Sequence, residues 1–226
     1  MPTTTTPFQG DQKAPLVSPL AAAEAKLINR LLPHFPRWVH GHHLTLMTII
    51  WSAGVIFAGW RAQESHHWLW LSSAMLFLQW FTDSFDGKLG KLRRVGIRRW
   101  GYFMDHFLDY VFMACVMGHY AFFVGDPAAL WFLILVPLYG AFEAVSWLEY
   151  GATGTFRITY LFMGPTEIRL VFIGLNTAII VWGTAWLAPA LLPALIVLGL
   201  ALCVVVYTTQ RRVWAMDMTE RADEAG

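Results

Sequence analysis

The chain predicts an all-α integral membrane protein of about six transmembrane helices, with an amphipathic helix on the membrane surface ahead of them. Three observations predict it. Of 226 residues, 57% are hydrophobic and only 14% charged, whereas soluble domains carry about a quarter charged residues. Apolar stretches recur at close to the roughly 20 residues that a helix needs to cross a bilayer core of about 30 Å. Lys and Arg gather in alternate connections, the bias of loops that stay on the cytoplasmic side.

The elements follow in order. Residues 1–15, "MPTTTTPFQGDQKAP", read as a disordered tail, because such a polar composition cannot bury enough surface to order itself. It has neither the basic start nor the apolar core of a cleavable signal, so the first span is expected to direct insertion. Across residues 16–36, Leu20, Ala23, Leu27 and Leu31 recur at helical spacing while Glu24, Lys26 and Arg30 stay off that stripe, which predicts the juxtamembrane helix. Pro33 and Pro36 should end it. Residues 37–210 read as one membrane domain with spans near 44–60, 68–84, 102–124, 128–150, 168–187 and 190–208. The third is the least hydrophobic, because it holds Asp105, His106, Asp109 and His119. Residues 211–226 read as a polar tail.

Charge gives the expected orientation. Lys26, Arg30 and Arg37 precede the first span, six cations from Lys88 to Arg99 lie between the second and third, Arg157 follows the fourth, and Arg211, Arg212 and Arg221 follow the sixth. Both termini and the segment around residues 83–101 are therefore expected on the cytoplasmic side. The net charge of +1 excludes an electrostatic case for nucleic acid as partner. Cys115 and Cys203 fall inside spans and read as small apolar residues rather than a disulfide. "HGHH" at 40–43 offers transition-metal donors without a partner cluster in sequence.

One segment breaks the apolar pattern: "DSFDGKLGKLRRVGIRRWGYFMDHFLDY", residues 83–110. A charge near the middle of a spanning helix costs roughly 2.5–3.5 kcal/mol on insertion scales. Asp83 and Asp86 are three apart, and Asp105 and Asp109 are four apart, so each pair shares a helix face and the pairs can converge. Clustered carboxylates repel. Divalent cations are the natural counterweight, and oxygen-only ligands favour hard ions such as Mg²⁺, Mn²⁺ or Ca²⁺. Gly87, Gly90 and Gly101 leave the backbone approachable and Lys91 adds a cation, an arrangement suited to a pyrophosphate.

Asp83, Asp86, Gly87, Gly90, Lys91, Gly101, Asp105 and Asp109 together resemble the signature of the CDP-alcohol phosphotransferases, membrane enzymes of phospholipid synthesis, written D-x2-D-G-x2-A-R-x(7 to 9)-G-x3-D-x3-D. The match covers 27 residues and keeps all four aspartates and both defining glycines. Gly90 stands where the family has Ala. Lys91 stands where it has Arg, which keeps the charge and loses the bidentate fork.

The resemblance implies that Asp83, Asp86, Asp105 and Asp109 hold two Mg²⁺ or Mn²⁺ ions and that Asp109 is the base. Asp83, Gly87, Gly90, Lys91 and Gly101 would bind the CDP moiety, and the enzyme would be a homodimer. "DHFLD" at 105–109 and "GPTE" at 164–167 look like the branch that transfers phosphocholine or phosphoethanolamine from a CDP-alcohol to diacylglycerol. The alternative is phosphatidyl transfer from CDP-diacylglycerol to a polar alcohol or alcohol phosphate, for which Arg157, Glu167 and Arg169 are candidate acceptor-binding residues. An ion-coupled transporter is a competing class, since intramembrane acids also mark ion paths. It gives no reason for the glycines or the basic loop.

Overall fold

The computed structural model describes residues 12–13, 21–93, 97–156 and 164–225. Leu20, Arg157 and most of the N-terminal tail lie outside these residues. Seven α-helices follow in order: α1 (Ala21–Leu31), α2 (Gly41–Ala62), α3 (Leu69–Leu92), α4 (Arg98–Gly118), α5 (Ala128–Thr153), α6 (Pro165–Trp182) and α7 (Leu187–Ala225). A two-residue parallel pairing joins β1 (Gln12–Lys13) to β2 (Thr155–Phe156).

Local chemistry sets the ends. Pro165 opens α6, where its fixed φ suits the first turn and its missing N–H costs nothing. The Gly164 amide donates to the Glu167 carboxylate at 3.0 Å, capping that turn. Gly154 and Gly183 end α5 and α6 at φ 70° and 73°, backbone positions that side chains disfavour. Pro137 and Pro193 sit inside α5 and α7.

By length and composition, α2, α5, α6 and α7 can cross a membrane. α3 and α4 have the length, with 24 and 21 residues, but carry the acids and cations of the 83–110 segment. α7 runs on through the polar residues after 208 without a break. Apolar side chains stand exposed along its surface, including Ile196, Val197, Leu200 and Val204, as lipid-facing positions do.

α2 packs along α3 and α4, α6 lies against α3, and α5 bridges α4 and α7. Three apolar clusters stack along the bundle. Ile28, Leu44, Phe85 and Leu89 bury one end, where α1 docks on α2 and α3. The inward contact of α1 is made by Ile28, while Leu27, on the expected stripe, is exposed. Val55, Leu76, Phe112, Met113 and Val116 fill the middle. At the far end, Leu69, Tyr120, Phe132, Ile179 and Leu187 are buried. Polar bonds cross that last layer. Ser72 Oγ pairs with His119 Nε2 at 3.2 Å, Tyr120 donates to Asn176 Oδ1 at 2.6 Å, and Asn176 Nδ2 donates to Ser73 Oγ at 3.1 Å.

The site end depends on one close approach. A Cβ on Gly41 would lie 2.4 Å from the Asp86 carbonyl oxygen, so only glycine lets α2 sit this near α3. That contact brings Thr45 within reach of the Asp86 carboxylate.

Candidate metal and phosphate site

α3 and α4 run antiparallel from the basic connection, and their facing turns carry the four aspartates. Carboxylate oxygens of Asp83, Asp105 and Asp109 lie within 4.8 Å of one another, all three residues partly exposed. Asp86 sits deeper, at 9% exposure. Its Oδ2 accepts from Thr45 Oγ1 at 2.6 Å, its Oδ1 accepts from the Gly87 amide, and its side chain meets that of Asp105. Two carboxyl groups in contact need a shared proton or a cation between them.

Arg169 meets part of this charge. It rises from α6, is 4% exposed, and places Nη2 3.0 Å from Asp83 Oδ2 and 3.7 Å from Asp109 Oδ1. The sequence offered it as an acceptor ligand. In the structure it stands within the acid cluster, and its buried Nε has no hydrogen-bond partner. Glu167 caps its own helix, as described above. Arg157 lies outside the described residues.

Gly87, Gly90 and Gly101 have nothing within 4 Å of where a Cβ would be. Neither packing nor a positive φ requires glycine there, so what they provide is open surface beside the acids. Lys91, in the last turn of α3, is exposed. Arg93 is committed elsewhere. Its guanidinium donates to the carbonyls of Phe35 at 3.2 Å, Pro36 at 2.6 Å, and Arg37. His106 Nδ1 lies 2.7 Å from the Tyr102 carbonyl, which fixes the proton on that nitrogen. The rings of His40, His42 and His43 cluster at the start of α2 with centroids 4.2 to 5.6 Å apart. Among the described residues, however, the metal-competent group of three is Asp83, Asp105 and Asp109.

Beside Thr45, three further residues stand at the candidate site without having been assigned a role from sequence. Gln79 is fully buried and donates from Nε2 to Asp109 Oδ1 at 2.6 Å. It lies four residues before Asp83, so helical spacing from a known acid would have found it. Tyr139 donates to Glu143 from within α5, and both lie in electrostatic reach of Arg169; Glu143 also acts on Asp109. Their i, i+4 spacing inside an apolar run was the available signal.

The donor set fits a hard divalent cation. Three carboxylates converge with a fourth in contact, all donors are oxygen, and one guanidinium leaves negative charge uncompensated. No curated protein matches the chain. The family model for CDP-alcohol phosphatidyltransferase matches residues 38–205, which takes in every helix from α2 to α6, the first half of α7 and all four aspartates. That family is generally dependent on a divalent metal, and the aspartate cluster is compatible with one. With the match extending over well more than half its length, the chain belongs to the CDP-alcohol phosphatidyltransferase family and is a phosphotransferase of substituted phosphate groups.

Proposed function

We propose that the protein moves a substituted phosphate group from a CDP-alcohol to an acceptor alcohol at the cytoplasmic face of a membrane, releasing CMP. The carrying observation is the convergence of Asp83, Asp105 and Asp109 beside three glycines with open space around them. Asp83, Asp86, Asp105 and Asp109 would hold Mg²⁺ or Mn²⁺, two ions, which when bound neutralise pyrophosphate charge. Gly87, Gly90 and Gly101 let that pyrophosphate approach the backbone, and Lys91 adds a cation. Asp109 takes the proton of the acceptor hydroxyl. The acceptor oxygen then forms a bond to the β-phosphorus as the bond from that phosphorus to the bridging oxygen breaks, and CMP leaves with the electron pair. Gln79 orients Asp109 through its 2.6 Å bond. α3 and α4 complete six spans in this reading, because their acids face one another rather than lipid, and a second copy of the chain is the expected partner.

For the substrates, "DHFLD" and "GPTE" favour a CDP-choline or CDP-ethanolamine type of donor with diacylglycerol as acceptor. A specific observation favours the other branch. Arg169 lies 3.7 Å from Asp109, and the hydrogen-bonded pair Tyr139 and Glu143 lies within electrostatic reach of both, a polar setting that suits a polar alcohol or alcohol phosphate receiving a phosphatidyl group from CDP-diacylglycerol. Purified protein reconstituted in vesicles with Mg²⁺ or Mn²⁺ separates these readings. One arm pairs CDP-choline or CDP-ethanolamine with diacylglycerol, and the other pairs CDP-diacylglycerol with polar alcohols and their phosphates. CMP and a lipid product are expected in one arm, lost with Asp109→Asn. Metal-dependent ion flux without CMP would make the protein a transporter instead.

A further inference from the structure

Glu24 lies outside the metal site, yet both of its carboxylate oxygens are spent on the helices that build it. Ser84 Oγ donates to Oε1 at 3.0 Å and Thr166 Oγ1 donates to Oε2 at 3.0 Å. Ser84 is the residue after Asp83 on α3. Thr166 sits in the first turn of α6, three residues before Arg169 and on the same helix face. Asp83 and Arg169 are themselves joined at 3.0 Å. The contacts close a ring that runs from Glu24 to α3, across the Asp83–Arg169 pair to α6, and back to Glu24.

We propose that Glu24 is a positioning residue: through it, α1 acts as a strap that sets the spacing of α3 and α6 and so the placement of Asp83 against Arg169. An acid in the first turn of a helix is ordinarily accounted for by the helix dipole. That account does not explain why both oxygens are satisfied by hydroxyls from two other elements 60 and 142 residues away. Ile28, one turn along α1, is 3% exposed against Phe85 and Leu44, so the strap is seated by apolar burial as well as by its carboxylate. Hydroxyl-to-carboxylate bonds are charge-assisted and hold geometry more firmly than neutral ones.

The catalytic consequence rests on the phosphotransferase reading, while the strap itself does not, and the experiment reads them apart. Glu24→Ala, Glu24→Gln and the pair Ser84→Ala with Thr166→Ala are compared with the parent chain in vesicles. Hydrogen exchange is followed in the peptide spanning residues 164–172, and kcat and KM for the CDP donor are measured. Exchange there is expected to quicken in Glu24→Ala and in the double alanine variant, and to stay close to the parent in Glu24→Gln, whose amide can bond both hydroxyls. kcat is expected to fall about ten- to hundredfold, the scale of a small misplacement at a reacting centre, with donor KM within about twofold of the parent and recovery in Glu24→Gln. Unchanged exchange in Glu24→Ala overturns the strap. Quickened exchange with unchanged kcat overturns its role in positioning the site. If the parent chain releases no CMP, the phosphotransferase reading falls and exchange alone decides the strap.

Discussion

Asp109 is gripped from two directions, by Gln79 at 2.6 Å and by Arg169 at 3.7 Å, so its carboxylate has one orientation toward the open side of the cluster. If it is the base, Asp109→Asn lowers kcat by about 10²–10⁴, the usual contribution of a general base, while CDP-alcohol binding measured by calorimetry stays within severalfold. Gln79→Leu removes one hydrogen bond to a charged group, worth about 1.5–3 kcal/mol. A fall in kcat with little change in donor KM is expected, and an unchanged kcat would show that Asp109 needs no such support. Arg169→Gln removes the buried cation that compensates the partly exposed carboxylates of Asp83 and Asp109, so their mutual repulsion is no longer offset. The variant should melt well below the parent in chelator, and Mg²⁺ or Mn²⁺ should recover more stability in the variant than in the parent. Equal recovery in both would argue against a cation among these acids. The acids were legible because their spacing on two helices forces shared faces. Thr45 was not, because nothing in the sequence says which residue of α2 faces Asp86 across 41 positions.

At the scale of the helix, the same distinction holds. Apolar length announces α2, α5, α6 and α7, whereas α3 and α4, drawn as spans near 68–84 and 102–124, have the length of a span but carry the acids and cations of the 83–110 segment. The tail after residue 208 reads as polar, and polarity alone does not stop a helix when no glycine or proline interrupts it until Gly226. Juxtaposition of helices is the part that sequence hides, and Gly41 is its plainest instance. Gly41→Ala forces a Cβ against the Asp86 carbonyl, an overpacking of about 1–3 kcal/mol, and should lower both thermal stability and turnover. Gly54→Ala is the matched control, since its Cβ would meet the flexible end of Met75. Thermal melts and CMP release of the two variants check the expectation, and equal losses would mean that the α2–α3 approach does not govern the site.

For the whole molecule, the proposed six crossings would put the connections around residues 64, 126 and 184 on one side and residues 38, 97 and 218 on the other. In a chain lacking Cys115 and Cys203, Glu64→Cys, Asp126→Cys and Thr184→Cys should react with a membrane-impermeant maleimide from one side only. Trp38→Cys, Ile97→Cys and Met218→Cys should react only from the opposite side. Mixed labelling within either set would break the six-span reading, and with it the placement of all four aspartates at one face.

The polar layer at the far end of the bundle bears on how a lipid reaches those aspartates. Ser72, Ser73, His119, Tyr120 and Asn176 join α3, the turn after α4, and α6 by hydrogen bonds that no water in a bilayer core can replace. Under the proposed six-span arrangement, a bundle riveted at that end would work like a clothes peg, with its pivot in the far leaflet and its jaws at the leaflet that holds the aspartates. Any lateral parting that admits an acyl-chained molecule would then be confined to the leaflet in which the proposed reaction takes place, and the opposite leaflet would meet a closed wall.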